Sequence, residues 1–106
     1  MSTQLKKGVL EMVVLNKVAN KDSYGYDIYQ EINHYMVISE STIYPILRKL
    51  TTEGLCSTYL RESNEGPPRK YFRITRQGIE KLSELKLDWS KFEKVVNNMI
   101  RSDRYE

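Results

Sequence analysis

Three observations in the sequence predict a mainly α fold with one β-hairpin (α+β). Apolar residues recur at helical spacing in four separate segments. Two short strand-like runs flank a stretch of turn residues, Ser63-Asn64-Glu65-Gly66-Pro67-Pro68. The last segment carries a heptad seam. The 106 residues suffice for one modest core.

The first helix is expected over Gln4–Val18. Leu5, Val9, Leu10, Met12, Val13, Val14, Leu15 and Val18 cover most of its circumference, so it should be buried on several sides. In a chain this small, that places it between the body of the domain and something else. Asn20-Lys21-Asp22-Ser23 reads as a loop, with Asp22 or Ser23 capping the next helix. The second helix is expected over Tyr24–Met36, with Tyr24, Ile28, Ile32 and Tyr35 on one stripe. After a short turn at Val37-Ile38-Ser39-Glu40, the third helix is expected over Thr42–Glu53, ended by Gly54. Pro45 has no N–H to give, which favours a late start with Ser41 rather than Ser39 as the cap. Ile43, Ile46, Leu47 and Leu50 form the apolar face of this helix. At about 100° per residue, Ser41, Pro45, Arg48 and Thr52 fall opposite, flanked by Tyr44 and Lys49.

Strands are expected at Ser57–Glu62 and Arg69–Thr75, with Phe72 and Ile74 on the buried face and Tyr71 and Arg73 on the wet one. The last helix should start at Arg76, capped by Thr75, and run to Ile100. Along it Leu82, Leu85, Trp89, Phe92, Val96 and Met99 are spaced three, four, three, four, three. Such a stripe needs a partner, from the same chain or from a second copy. The chain therefore divides into residues 1–75, the helices with their hairpin, and residues 76–106, a helix for dimerisation.

Composition narrows the function. Charged residues are 29% and hydrophobic residues 40%, ordinary for a globular chain. The longest apolar run, Met12 to Leu15, is too short to cross a bilayer, so no membrane partner is expected. Glu11 interrupts the N-terminal apolar segment, so no secretory leader is expected. Cys56 is alone, which permits no intrachain disulfide and fits a cytoplasmic location. With one histidine, His34, and one cysteine, no His/Cys metal site can form within one chain; no metal or cofactor is expected. No Ser-His-Asp or Cys-His arrangement is visible, so an enzyme is not expected. Asp27 and Glu31 read as helical surface charge. The net charge of +3 permits a nucleic-acid partner without demanding one. Residues 1–75 hold ten Lys/Arg against eight Asp/Glu, and residues 76–106 seven against six. The case must rest on which faces carry the cations.

Two helices joined by a short turn and followed by a hairpin are the layout of a winged helix-turn-helix, whose second helix enters the DNA major groove. The third helix has the required two faces. Its wet side offers the Ser41 and Thr52 hydroxyls, the Arg48 guanidinium, the Tyr44 phenol and the Lys49 ammonium. Arginine suits guanine, while lysine and hydroxyls suit phosphate. The hairpin adds Arg61, Arg69, Lys70 and Arg73 beside a Gly-Pro-Pro tip. Double-stranded DNA is the expected partner. A protein–protein module on the same fold is the alternative, since fold does not fix the partner.

Several segments carry a family resemblance. They are Leu5-Lys6-Lys7-Gly8, Ser23-Tyr24-Gly25-Tyr26-Asp27-Ile28, Ser41-Thr42-Ile43-Tyr44-Pro45-Ile46-Leu47-Arg48-Lys49-Leu50, Glu53-Gly54-Leu55 and Arg69-Lys70-Tyr71-Phe72-Arg73-Ile74-Thr75. Together they resemble the PadR family of transcriptional regulators over residues 4 to about 80. The resemblance implies a winged-helix repressor that binds DNA as a homodimer. Thr42, Tyr44, Pro45, Arg48 and Lys49 match the family's recognition-helix positions, and Arg69 and Lys70 its wing. The single C-terminal helix is similar to that of the small subfamily, where it packs against the partner's N-terminal helix. This implies a dimer interface of Leu5, Val9, Leu82, Leu85, Trp89, Phe92, Val96 and Met99. In some small members a flat aromatic effector sits between tryptophans of this helix. Trp89 lies in a comparable place, with Phe92 and Val96 as its neighbours.

Overall fold

A computed structural model describes residues 3–101, with side chains described from Val9 onward. Helix α1 spans Thr3–Asn20, strand β1 Ser23–Tyr24, helix α2 Gly25–Tyr35 and helix α3 Glu40–Thr52. Strands β2 (Cys56–Arg61) and β3 (Arg69–Ile74) follow, and helix α4 (Arg76–Ile100) ends the described chain. The sheet is antiparallel in the order β1-β3-β2. Cys56 pairs with Ile74 at the base of the wing and Arg61 with Arg69 near its tip.

The core is built where α1, α2 and α3 turn apolar faces toward each other and the sheet closes one side. Val14, Leu15 and Val18 of α1 meet Ile28 and Ile32 of α2 and Ile43, Leu47 and Leu50 of α3; Cys56 and Phe72 come from the sheet and Leu82 from α4. Burial around α1 is as broad as its composition predicts: Leu10 is buried too, and Val9, Met12 and Val13 are half-buried. The side chain of Leu5 lies outside the described residues.

Several local expectations are corrected. α3 begins at Glu40, two residues earlier than the Thr42 start that Pro45 suggested. Ser39 occupies the cap position without a side-chain cap bond, and its hydroxyl instead bonds those of Ser41 (2.8 Å) and Thr42 (3.1 Å). Pro45 thus sits in the second turn, where its missing N–H deprives only the Ser41 carbonyl at the open end of the helix. Neither Asp22 nor Ser23 caps α2: Tyr24 holds that position. Ser23 is drawn into β1 opposite Phe72, and its hydroxyl donates to the Lys21 carbonyl at 2.8 Å. Tyr35 is 85% exposed, so the α2 stripe is Ile28 and Ile32 alone.

Two devices fix the angle at which α4 leaves the body. Gly54, at φ +78°, ends α3 in the left-handed region. The Leu55 N–H then bonds the Leu50 carbonyl at 2.9 Å, and the Gly54 N–H bonds that of Thr51 at 3.0 Å. Thr75 ties α4 to this turn. Its N–H donates to the Leu55 carbonyl (3.1 Å), its hydroxyl donates to the Gly54 carbonyl (2.7 Å), and the same oxygen accepts from the Gly78 N–H (3.0 Å), which caps α4 as predicted. Gly78 allows the close approach, since a Cβ there would lie 2.1 Å from the Leu55 carbonyl oxygen.

Beyond its first turns α4 departs from the body. The molecule measures 61 × 28 × 19 Å with a radius of gyration of 16.5 Å. A compact chain of this length would have a radius near ~13 Å. Along α4, Leu82 is buried and Leu85 half-buried, whereas Trp89 is 41%, Phe92 63% and Met99 77% exposed.

Candidate nucleic-acid interface

α3 presents its two faces as the sequence demands. Ile43, Leu47 and Leu50 are fully buried, while Ser41, Thr42, Pro45, Arg48, Lys49 and Thr52 are exposed. Tyr44 is half-buried with its ring over Gly25, where an added Cβ would come within 3.2 Å of the ring. Burial, and then the neighbouring Glu40 carboxylate, raise its phenol above the ordinary pKa, so the hydroxyl stays protonated and able to donate. Arg48 and Lys49 are adjacent but differ. Among the described residues Arg48 makes no hydrogen bond or ion pair, whereas the Lys49 ammonium pairs with the Glu11 carboxylate on α1.

The wing separates its four predicted cations by the alternation of the strand. Arg69, Tyr71 and Arg73 share one face of β3; Lys70 shares the other with Phe72, which turns into the core. The outer face is a row of three tyrosine rings with a guanidinium group over each. Tyr24 and Tyr71 have centroids 6.2 Å apart, and Tyr71 and Tyr59 5.7 Å. Arg69 lies over Tyr24 (4.9 Å), Arg61 over Tyr71 (5.1 Å) and Arg73 over Tyr59 (4.7 Å). Asp22 ties one end, accepting from the Tyr59 hydroxyl at 2.8 Å and from Arg73 Nε at 3.2 Å. The Tyr59 phenol is accordingly held above its ordinary pKa, chiefly by that hydrogen bond. At the other end Glu65 lies 3.6 Å from Arg69. Lys70 is exposed and, among the described residues, makes no ion pair.

The transcriptional regulator PadR-like family matches residues 14–84, which run from α1 through the helix pair and wing into α4. The chain belongs to the PadR-like family of transcriptional regulators. A PadR-like transcriptional regulator from Bacillus cereus is 36% identical and superposes with a TM-score of 0.86, covering 95% of this chain and 100% of its own. A Streptococcus transcriptional regulator is 35% identical with a TM-score of 0.84, over 94% of this chain and 100% of its own. A transcriptional regulator from Clostridium thermocellum reaches 0.86 at 28% identity, over 95% and 99%. An uncharacterised protein from Lysinibacillus sphaericus is 34% identical over 95 residues, 86% of this chain and 87% of its own.

In this PadR-like chain the predicted α3 residues fall on one surface. Arg61, Arg69 and Arg73 fall together on the outer sheet face, and Lys70 falls apart from them. Glu11, Asp22, Tyr24, Tyr59 and Tyr71 were not read as site residues from the sequence, although they set where the cations sit. Tyr59 and Tyr71 leave a trace in the period-two alternation with arginine. Glu11 and Asp22 leave none, because their partners are 38 and 51 residues away. Of the predicted assembly residues, Leu82 is committed to the chain's own core. Trp89, Phe92 and Met99 are exposed, and Val96 is half-buried. Val95 (54% exposed) and Ile100 (68%) extend the apolar surface beyond the predicted seam. Among the described residues no helix is long and apolar enough to cross a membrane.

Proposed function

We propose that this regulator is a homodimeric, sequence-specific DNA-binding repressor that acts in the cytoplasm. The observation that carries this reading is the solvent face of α3. Ser41, Thr42, Pro45, Arg48 and Thr52 stand exposed on a helix whose opposite side is locked in the core. Arg48, with no internal partner among the described residues, is the group to read a guanine edge, while Thr42, Thr52 and Lys49 reach phosphates. Lys70 and the wing arginines lie against the neighbouring backbone. Two copies joined through Trp89, Phe92, Val96 and Met99 of α4 and the outer side of α1 would present two such helices to half-sites about one turn apart.

A flat aromatic effector between the two Trp89 rings would change that spacing and release the DNA. This part of the reading rests on the exposed indole and predicts quenching of Trp89 fluorescence by planar aromatic compounds, together with weaker DNA binding. The test of the whole is titration of the protein with the DNA upstream of its own gene at several salt concentrations. Tight binding that beats unrelated DNA, with a steep salt slope, supports the reading. Equal, weak binding to every duplex contradicts it and favours a protein partner for the same face.

A further inference from the structure

Resting on the DNA reading above, we propose that Glu11 is an internal competitor for the DNA backbone: it holds the Lys49 ammonium that a phosphate would otherwise take. The pair joins α1 to α3 across 38 residues of sequence. It lies in the wall of an open groove that Ser41, Thr42 and Pro45 also line, so Lys49 shares a surface with the candidate recognition residues. Arg48, the preceding residue, has no such tether among the described residues. The Lys49 side chain is 53% exposed and that of Glu11 34%, so water and salt weaken the pair and an arriving phosphate can break it. The carboxylate also raises the Lys49 pKa, first through the hydrogen bond and then through its charge.

Binding then exchanges one anion for another at Lys49. The energy of the Glu11 contact is subtracted from the affinity for every duplex, cognate or not. Base readout through Arg48 is untouched, so the share of binding that depends on sequence rises. Because Glu11 belongs to α1 and not to the helix-turn-helix pair, any shift of α1 against α3 alters how firmly Lys49 is held.

The test is a double-mutant cycle in DNA binding. Wild type, Glu11→Gln, Lys49→Gln and the double variant are titrated with upstream and unrelated duplexes over a range of salt. Glu31→Gln, which removes the same charge from the Lys17 pair between α1 and α2, serves as the control. Glu11→Gln should tighten binding to both duplexes by roughly two- to fivefold, the range for a partly exposed ion pair. Lys49→Gln should weaken binding and reduce the salt slope by about 0.9. With Lys49 gone, Glu11→Gln should have no further effect, and Glu31→Gln should leave affinity as it was. An unchanged affinity in Glu11→Gln, or a gain as large without Lys49 as with it, would overturn the proposal while leaving the DNA reading intact. Failure of the wild type to bind any duplex at low salt would overturn the DNA reading itself, and this proposal with it.

Discussion

The two halves of α4 carry the same three-four heptad spacing and have opposite fates. The proximal half is bound into its own chain. Thr75 bonds the turn at Gly54 and Leu55, Gly78 fits against the Leu55 carbonyl, and Leu82 closes the core. The distal half touches little of its own chain and leaves Trp89, Phe92, Val95, Met99 and Ile100 in water. An apolar stripe this continuous is costly to leave wet, and single scattered hydrophobes would need no such account. Heptad spacing therefore signals that a stripe must be covered, without saying by which chain. The difference lies in neighbours, since only the proximal turns have the α3–β2 turn beside them.

The largest effect is expected at the proximal end. Gly78→Ala places a methyl 2.1 Å from a backbone oxygen, which no side-chain rotation relieves. Its destabilisation should reach about 3 kcal/mol or more, read by chemical unfolding. Leu82→Ala removes a buried side chain from the core and should cost about 2–5 kcal/mol in the same experiment. A loss below about 1 kcal/mol would mean that the first turns of α4 are not part of the core. Gly54→Ala meets no atom but forces alanine to φ +78°, costing about 1 kcal/mol, and it should not change assembly. The distal half should behave in the opposite way. Phe92→Ser with Met99→Ser should leave the secondary structure intact by circular dichroism. It should also abolish the dependence of unfolding on protein concentration that a dimer shows.

A separate effect, confined to alkaline pH, concerns the core. Burial pushes the Cys56 thiol up from about 9 to about 11. The unfolded thiol ionises first, so the folded chain holds the extra proton and stability should fall as pH rises from about 9 to about 11. Cys56→Ala should flatten that part of the pH profile.

The sequence was most legible where the information is local. Gly54 after an amphipathic run, Thr75 before a helix, and alternation through Phe72 each reflect a rule with short reach, and the structure follows them. Pro45 misled because its constraint is real but weak near an open helix end. Asp22 and Ser23 misled because cap chemistry also suits a strand edge and an ion pair. The candidate DNA face of α3 was readable as one side of a helix. The tethering of its cations was not, since Glu11–Lys49 and Asp22–Arg73 join distant segments. Nor could spacing divide the α4 seam, because buried Leu82 and exposed Trp89 occupy equivalent heptad positions in it.

The most direct test of this account is the mass of the particle in solution. Sedimentation equilibrium of the wild type at micromolar concentration should give twice the 12.5 kDa of one chain. The Phe92→Ser, Met99→Ser variant should give a single folded chain whose binding to upstream DNA is weakened. A wild-type monomer that binds its operator as tightly as the account requires of a dimer would contradict the assignment of the distal α4 surface. So would a variant that remains fully dimeric.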